Sequence, residues 1–327
     1  MNVKKTKFAV IADLHLDIMH DGKRRLADFL HSAKEEKVDF IIHLGDLCYP
    51  TGTSKSRCPI DKMPINVYLS HVAPQNDDVK EVIEAFNSFD IPSYHVVGNH
   101  DFDFASCDDV KAAYGMESTY YSFHVGGWHF IVLDPNYCKM PSGELEHYDY
   151  GQYFLTRDIA YISKEQLEWL KEELSKFKGE PAVLFSHQPL YDTHGGIANL
   201  SEFGEIITQA KQNGKQILMS FNGHTHIDRL DDIDGILYYH VNCASNMWVG
   251  SRAEPQKRFS DEIEEKYPSL KYVIPYTRAL FSIVTLDKDG VFVKGRSARY
   301  VQPGPRKIGF KESISSKTKT FYREWNR

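Results

Sequence analysis

Three apolar runs in the first hundred residues are continuous rather than alternating, at residues 7–12, 39–44 and 93–97. Continuous runs are typical of strands that are covered on both faces. Between them, residues 24–36 and 78–89 repeat apolar side chains at a spacing of three and four, which predicts helices packed on a sheet. This β-α-β-α-β order predicts a parallel sheet, and right-handed crossovers bring the carboxyl ends of the three strands to one edge.

The remainder of the chain continues this alternation of strands and helices. Apolar periodicity predicts helices at residues 163–176 and 200–213, and the pair Gly126-Gly127 predicts a two-residue hairpin turn. Further strands are predicted, in chain order, at residues 120–125, 128–133, 182–185, 216–221, 236–241, 280–286 and 291–295.

Three stretches lack sustained periodicity and are longer than ordinary connections, near residues 48–77, 135–160 and 247–276. We interpret them as insertions into one domain at residues 1–302, because no repeat, low-complexity tract or linker interrupts the chain. Residues 303–327 are basic and lack apolar periodicity, which predicts a C-terminal tail that either drapes over the domain or is mobile.

The composition bounds the partners and the compartment. A net charge of −6 predicts no general affinity for nucleic acid or for anionic membranes. No run approaches the ~20 apolar residues of a membrane helix. The five cysteines are scattered without a Cys-x-x-Cys pair, which fits reduced thiols in the cytosol, and a disulfide between Cys48 and Cys58 is the alternative for an exported protein. We therefore expect a cytoplasmic protein, and its oligomeric state stays open.

Potential metal ligands follow five of the predicted strands. One such segment alone would be an ordinary polar turn, but recurrence at five strand ends points to metal chemistry. If the backbone after the first strand is extended, Asp13 and His15 point to the same side and can converge on one ion. The five segments are Asp13-Leu14-His15, Gly45-Asp46, Gly98-Asn99-His100-Asp101, His187 and Gly223-His224-Thr225-His226.

This ordered set resembles the calcineurin-like metallophosphoesterase family, and the resemblance extends from about Phe8 to Gly295. It implies an α/β fold, specifically a four-layer α/β/β/α sandwich of two central mixed β-sheets flanked by helices. It also implies that the domain at residues 1–302 is a metallophosphoesterase catalytic domain.

The resemblance implies a binuclear metal site. Imidazole and carboxylate ligands suit manganese, iron or zinc, and a shared carboxylate can hold two cations at ~3.5–4 Å. By resemblance, one ion is bound by Asp13, His15 and His226, the other by Asn99, His187 and His224, and Asp46 bridges both.

The resemblance also gives His100 a catalytic role. As the residue after a metal ligand, it is placed to hydrogen-bond the transferring phosphoryl oxygen or to protonate the leaving group. For Asp101, two roles stay open: a carboxylate that orients a histidine, or a cap of its own loop.

The expected reaction is attack on phosphorus by a hydroxide that bridges the two ions. After Asp46 the chain reads Leu47-Cys48-Tyr49 instead of the Val-Asp-Arg-Gly of serine/threonine protein phosphatases, which disfavours phosphoprotein substrates. We predict a phosphodiesterase for small-molecule diesters of the nucleotide or glycerol type. A phosphomonoesterase is the alternative, and a nuclease or a non-catalytic scaffold are further ones.

Two more residues are candidate substrate contacts. Tyr49 stands where purple acid phosphatases carry their iron-binding tyrosine, but His15 can fill that coordination position, so we interpret Tyr49 as a pocket residue. His194 lies seven residues after His187 in a loop rich in turn formers, from which it could reach the substrate phosphate.

Overall fold

The computed structural model describes residues 3–47, 56–72, 78–156, 159–191, 195–310 and 315–325. Its α-helices are α1 Gly22–Glu36, α2 Ile65–Val72, α3 Asp78–Asn87, α4 Cys107–Tyr114, α5 Lys164–Ser175, α6 Leu200–Gln212 and α7 Asp261–Lys266. Its strands are β1 Thr6–Ile11, β2 Phe40–Leu44, β3 Ser93–Val96, β4 Tyr121–Val125, β5 Trp128–Val132, β6 Tyr137–Lys139, β7 Leu145–His147, β8 Ala182–Phe185, β9 Ile217–Asn222, β10 Arg229–Ile233, β11 Ile236–His240, β12 Asn246–Trp248, β13 Val273–Pro275, β14 Ser282–Leu286, β15 Gly290–Lys294 and β16 Phe321–Glu324.

Twelve of these strands form two six-stranded sheets. The first has the order β16-β15-β14-β1-β2-β3, in which β1, β2 and β3 are parallel and the other pairs are antiparallel. The second has the order β10-β11-β9-β8-β5-β4, in which β11, β9, β8 and β5 are parallel and the outer strands are antiparallel. Both sheets are therefore mixed, as predicted.

Aromatic side chains fill the space between the two sheets. The ring of Phe8 in β1 stacks on Phe40 in β2 with centroids 4.8 Å apart. The same ring meets Phe130, Phe185 and Phe221 of the second sheet edge-on, at centroid distances between 5.5 and 5.9 Å. All five rings are buried, and burial of each contributes about 1.5–3 kcal/mol. This core fixes the two sheets face to face.

Helices cover the outer face of each sheet, because alternate residues of a strand point to opposite faces. Leu26 and Phe29 of α1 share a buried cluster with Ile41 of β2, to which α3 and α4 also contribute. On the other side, Leu170 of α5 and Ile207 of α6 bury the outer face of the second sheet. The layer order confirms the four-layer α/β/β/α sandwich.

The predicted insertions contain short elements of their own. Residues 135–160 include the β6–β7 hairpin and two buried, stacked rings, Tyr148 and Tyr153, with centroids 4.4 Å apart. Residues 247–276 include α7 and most of the β12–β13 pair. Of the first insertion the structure describes residues 56–72, which contain α2.

The C-terminal segment takes part in the domain where the structure describes it. Strand β16 pairs antiparallel with β15 and forms the outer strand of the first sheet. The indole of Trp325 is buried in the core between the sheets, and its Nε1 donates to the carbonyl of Asp287 at 2.9 Å. Of the two alternatives that the sequence left open, these residues follow the first and lie on the domain.

Within the described residues, Cys58, Cys107, Cys138 and Cys243 are free thiols, and Cys48 lies outside them. In the same part of the chain, no helix combines the length and the hydropathy required to cross a bilayer.

Candidate metal centre

The strand ends that carry the predicted ligands meet at one edge of the sandwich. Backbone hydrogen bonds tie their loops together: the amide of Asp13 donates to the carbonyl of Gly45 at 3.1 Å, and the amide of His15 donates to that of Asp46 at 3.0 Å. From the second sheet, the amide of Gly223 donates to the carbonyl of His187 at 3.1 Å. Across the two sheets, the amide of His224 donates to Oδ1 of Asp13 at 3.1 Å. The carboxyl ends of β1, β2, β8 and β9 therefore form one connected floor.

The backbone of this floor is left-handed rather than extended. The φ angles of Asp13 and His15 are 56° and 52°, so the expectation of an extended backbone between them is wrong. Asp46, His224 and His226 have φ angles of 53°, 62° and 50°. Residues other than glycine rarely adopt this region, which costs on the order of 1 kcal/mol each and is retained mainly at functional sites. The side chains converge because the chain turns at each position.

The first candidate group consists of Asp13, His15 and His226, whose ligand atoms all lie within 4.8 Å of one another. The Nε2 atoms of His15 and His226 are 3.2 Å apart, and His226 Nε2 is 3.3 Å from Asp13 Oδ1. All three residues are buried.

The second candidate group consists of Asp46, His187 and His224, and it meets the same 4.8 Å criterion. His187 Nε2 lies 3.0 Å from Asp46 Oδ2. The amide oxygen of Asn99 joins this group, at 3.1 Å from His187 Nε2 and 2.9 Å from His224 Nδ1.

Asp46 connects the two groups. Its Oδ2 atom, 3.0 Å from His187 in the second group, is 3.9 Å from Nε2 of His15 in the first. Its Oδ1 atom accepts the backbone amide of His100 at 2.8 Å, which holds the carboxylate in place. This position suits the bridging role that the resemblance implied, and that role stays a prediction.

The donor chemistry of the groups fits metal binding. The Nδ1 atom of His187 donates to the carbonyl of Leu44 at 2.7 Å, so Nε2 is the ring nitrogen that faces the site and can bind a cation once it has lost its proton. Nitrogen and oxygen ligands bonded at about 2.0–2.2 Å lie about 3.3 Å from one another in a tetrahedral complex. The 3.2 Å between Nε2 of His15 and of His226 is close to that spacing, although two acceptor nitrogens at this distance would repel without a cation or proton between them.

Charges within the site perturb its titrations. Burial lowers the pKa of His187, but Asp46, together with Asp13 and the hydrogen bond to the carbonyl of Leu44, outweighs burial and raises the pKa to about 9. The pKa of Asp46 is held well below its usual value, because His187 and His100 outweigh the effect of its own burial. Burial lowers the pKa of His224 to about 3, which keeps that imidazole neutral.

His100 is oriented by a carboxylate that sequence reasoning missed. Its Nδ1 atom donates to Oδ2 of the buried Asp103 at 2.8 Å, and the hydroxyl of Tyr153 donates to the other oxygen of that carboxylate. The indole of Trp248 stacks on the His100 ring at a centroid distance of 5.3 Å. Burial lowers the pKa of His100, but Asp103 and Asp46 overcome this and place it well above the usual value. The spacing His-x-x-Asp, from His100 to Asp103, is the sequence signal from which this pairing could have been found.

Asp101 caps the loop that carries His100. Its Oδ2 atom accepts the backbone amide of Gly98 at 2.7 Å and that of Asp46 at 3.2 Å, and its Oδ1 atom accepts the hydroxyl of Tyr114 at 2.8 Å. Of the two roles left open for Asp101, these bonds fit the cap, and Asp103 is the carboxylate that pairs with His100.

Position 98 requires glycine, because the backbone of Gly98 closely approaches Asp46. A Cβ atom at this position would lie 2.3 Å from Oδ1 and 2.5 Å from the backbone nitrogen of Asp46. Because both atoms are fixed by the site, a larger residue would displace the carboxylate that joins the two groups.

A cavity of about 470 Å³ opens above the metal groups. Tyr49 and His194, the two candidate substrate contacts, lie outside the described residues. The described lining consists of Asp46, Lys62, Pro64, Asn99, His100, Phe154, His224, Thr225, His226, Trp248 and Arg252.

The sequence profile of the calcineurin-like phosphoesterase family matches residues 6–228, which is more than half of the chain. The chain belongs to the calcineurin-like phosphoesterase family. The family uses a binuclear metal centre, for which this chain offers the two groups described above.

Individual relatives are distant. The chain is 28% identical to purple acid phosphatase 15 of Arabidopsis thaliana over 245 residues, which is 67% of this chain and 40% of that protein. It is 23% identical to the manganese-dependent ADP-ribose/CDP-alcohol diphosphatase of Oryza sativa subsp. japonica over 269 residues, 67% of this chain and 77% of the relative. A dimetal phosphatase from Danio rerio superposes with a TM-score of 0.56 at 17% identity, covering 90% of this chain and 98% of that one. This last likeness shows the calcineurin-like fold alone.

We predict that Asp46→Asn strongly reduces the bound metal of this calcineurin-like phosphoesterase, because an amide removes the charge that lies between the two groups. Bound manganese per chain, measured by mass spectrometry after dialysis, should fall from about two to below one. Asp39→Asn is a matched control, since Asp39 precedes the same strand β2 at its opposite end and is exposed. Unchanged metal content in Asp46→Asn would contradict the bridging role.

We also predict that manganese affinity rises with pH. The metal-free protein carries a proton on His187, whose pKa of about 9 is raised by Asp46, and that proton must leave before the imidazole can bind a cation. The association constant should therefore increase by up to about tenfold per pH unit between pH 6.5 and pH 9 and then level off. Titration calorimetry in buffers of different ionisation enthalpy checks both the constant and the proton release. A constant that does not vary over this range would show that His187 does not compete with the metal.

Proposed function

We propose that this protein is a metal-dependent phosphodiesterase that hydrolyses small-molecule phosphodiesters. The observation that carries the proposal is the convergence of two metal-binding groups on Asp46 at the floor of a cavity that also presents His100. Two cations there, of manganese, iron or zinc, would supply Lewis-acid activation of water and of the phosphoryl oxygens. The residues that would hold them are the seven predicted ligands.

His100 supplies proton transfer in this proposal. Asp103 accepts the proton of Nδ1, so the second ring nitrogen, Nε2, is the one available to a substrate. Because the pKa of His100 lies well above its usual value, the ring carries a proton at neutral pH and can donate it to the departing oxygen. Trp248 covers one face of the ring and Asp103 fixes its rotation, so the donor is held before substrate arrives.

The cavity favours small substrates. A volume of about 470 Å³ lies within the range of small-molecule pockets, which is about 300–1,000 Å³. Pro64, Phe154 and Trp248 give it apolar surface that can contact an organic group on each side of the phosphate. The net charge of −6 argues against a long polyanion as substrate.

A phosphomonoesterase is the second candidate. The Arabidopsis relative is named an acid phosphatase, which favours monoesters, whereas the rice relative is named a manganese-dependent diphosphatase. Both reactions would use the same metal groups and the same His100, so the choice depends on measured turnover.

The deciding measurement compares bis-p-nitrophenyl phosphate with p-nitrophenyl phosphate, using metal-free protein reconstituted separately with manganese, iron and zinc. We expect kcat/KM to be at least about tenfold higher for the diester with at least one of these metals. A preference for the monoester would favour the phosphomonoesterase instead. Absence of turnover with every metal, despite two bound ions, would favour a non-catalytic scaffold.

We predict that Asp103→Asn lowers kcat about 10²-fold on phosphodiesters with poor leaving groups and less than tenfold on p-nitrophenyl esters. Proton donation by a positioned group contributes typically about 10²–10⁴-fold, and p-nitrophenolate needs little help to leave. Metal content should stay near wild type, because Asp103 contacts His100 rather than the metal groups. Asp108→Asn, at an exposed carboxylate nearby in sequence, is the control. Equal losses on both kinds of ester would argue against a role in protonating the leaving group.

A further inference from the structure

Two cationic side chains line the cavity besides the predicted ligands and His100. Lys62 and Arg252 come from different insertions, the first from the region before α2 and the second from the turn after β12. Among the described lining residues, Asp46 is the one carboxylate, and it belongs to the metal groups. The described part of the cavity away from the metals therefore carries positive charge.

The charge of Lys62 is uncompensated in the part of the chain that the structure describes. Its side chain is exposed, and no described carboxylate lies within 4.0 Å of Nζ. The residue ends a short helical turn, and its backbone amide donates to the carbonyl of Pro59 at 2.9 Å. The backbone is thus anchored while the ammonium group is left for a ligand.

Arg252 is held in one orientation by neutral groups. Its Nε atom donates to the carbonyl of Val249 at 3.1 Å, and its Nη2 atom donates to the carbonyl of Trp248. The guanidinium lies 5.7 Å from the centroid of the Phe310 ring. None of these partners carries a negative charge, and no described carboxylate is within ion-pair distance. A preorganised guanidinium of this kind suits recognition of a phosphate.

We propose that Lys62 and Arg252 form a subsite for a second phosphate, so that the preferred substrates are diphosphate diesters, in which two phosphates are joined by a bridging oxygen. This inference rests on the proposed phosphodiesterase function and names its substrate class. A single phosphoryl group would be engaged by the metal groups and His100. The side chains of Lys62 and Arg252 are then available to bind a second anionic group. A diphosphate provides such a group, because its second phosphate is separated from the first by one bridging oxygen.

The reaction balances with water as the only other reactant. The water oxygen forms a bond to the first phosphorus, and the bond from that phosphorus to the bridging oxygen breaks. The electron pair stays on the bridging oxygen, which leaves as part of the second phosphate. The products are two phosphate monoesters. Lys62 and Arg252 contact the phosphate on which the new charge develops, so they stabilise the leaving group as well as the bound substrate.

The test compares two nucleotide substrates that differ by one phosphate: thymidine 5′-monophosphate p-nitrophenyl ester and P1-thymidine-5′ P2-p-nitrophenyl diphosphate. Both release thymidine monophosphate, which chromatography quantifies with the manganese-loaded protein. We expect Lys62→Gln and Arg252→Gln each to lower kcat/KM about tenfold on the diphosphate, and the double variant about a hundredfold. On the single-phosphorus ester each variant should stay within about twofold of wild type.

Matched variants separate charge recognition from folding. Lys178→Gln removes an exposed lysine that precedes β8 at the edge opposite His187, so it should leave both substrates unaffected. Arg252 also supports its own turn through Val249, so its variant is judged only if the thermal unfolding midpoint is kept. The side chain of Lys62 makes no hydrogen bond in the described structure. The effect of Lys62→Gln on kcat/KM therefore tests the subsite without disturbing the turn that Arg252 supports.

Binding gives a readout that is independent of turnover. Calorimetry with α,β-methylene thymidine 5′-diphosphate and with thymidine monophosphate should show at least tenfold tighter binding of the diphosphonate by the manganese-loaded wild type. That difference should disappear in the double variant. If Lys62→Gln and Arg252→Gln lower kcat/KM equally on both substrates, or change it on neither substrate, the subsite is overturned. The proposed phosphodiesterase function is unaffected by either of these results. If the wild type cleaves neither substrate, the proposed function fails, and the calorimetric difference alone then supports or overturns the subsite.

Discussion

The carboxylate of Asp46 is buried where the two sheets meet, 3.0 Å from Nε2 of His187 and hydrogen-bonded to the backbone amide of His100. A buried carboxylate costs several kcal/mol unless positive charge compensates it. The surrounding imidazoles can supply that charge as protons, and metal ions can replace those protons. The same group therefore links the stability of this sheet edge, the binding of metal and the position of His100.

The aromatic core between the sheets makes this arrangement possible. Phe8 lies five residues before Asp13 in the chain and packs on rings of both sheets, so the strand that precedes this candidate ligand is fixed against the opposite sheet. A rigid scaffold of this kind can hold Asp13 and His15 in left-handed conformations that a flexible loop would abandon. The stability of the core thus compensates for the backbone strain at the candidate metal groups.

The insertions complete the site that the strand ends begin. Tyr153, from the insertion at residues 135–160, donates to Asp103, and Trp248, from the insertion at residues 247–276, stacks on His100. Trp248 also lies against the rings of His15 and His226, at centroid distances of 5.4 and 5.7 Å, so the insertions contact both His100 and the first candidate metal group. The strand ends of the two sheets thus carry the candidate metal groups, while the insertions contribute side chains that line or support the cavity above them.

The sequence by itself determined the order of most strands and helices, the positions of seven candidate ligands at strand ends and the family, because apolar periodicity and motif spacing are local properties of a chain. It did not reveal the short elements α2, α4, β10 and β16. Tertiary structure decided what those local patterns cannot express. Asp103 rather than Asp101 pairs with His100, since side-chain direction depends on the turn and on packing by Tyr153. The left-handed backbone at the ligands and the pairing of β16 with β15 also depend on contacts between segments far apart in the chain. Such contacts leave no periodic trace in the sequence, so only the folded chain reveals them.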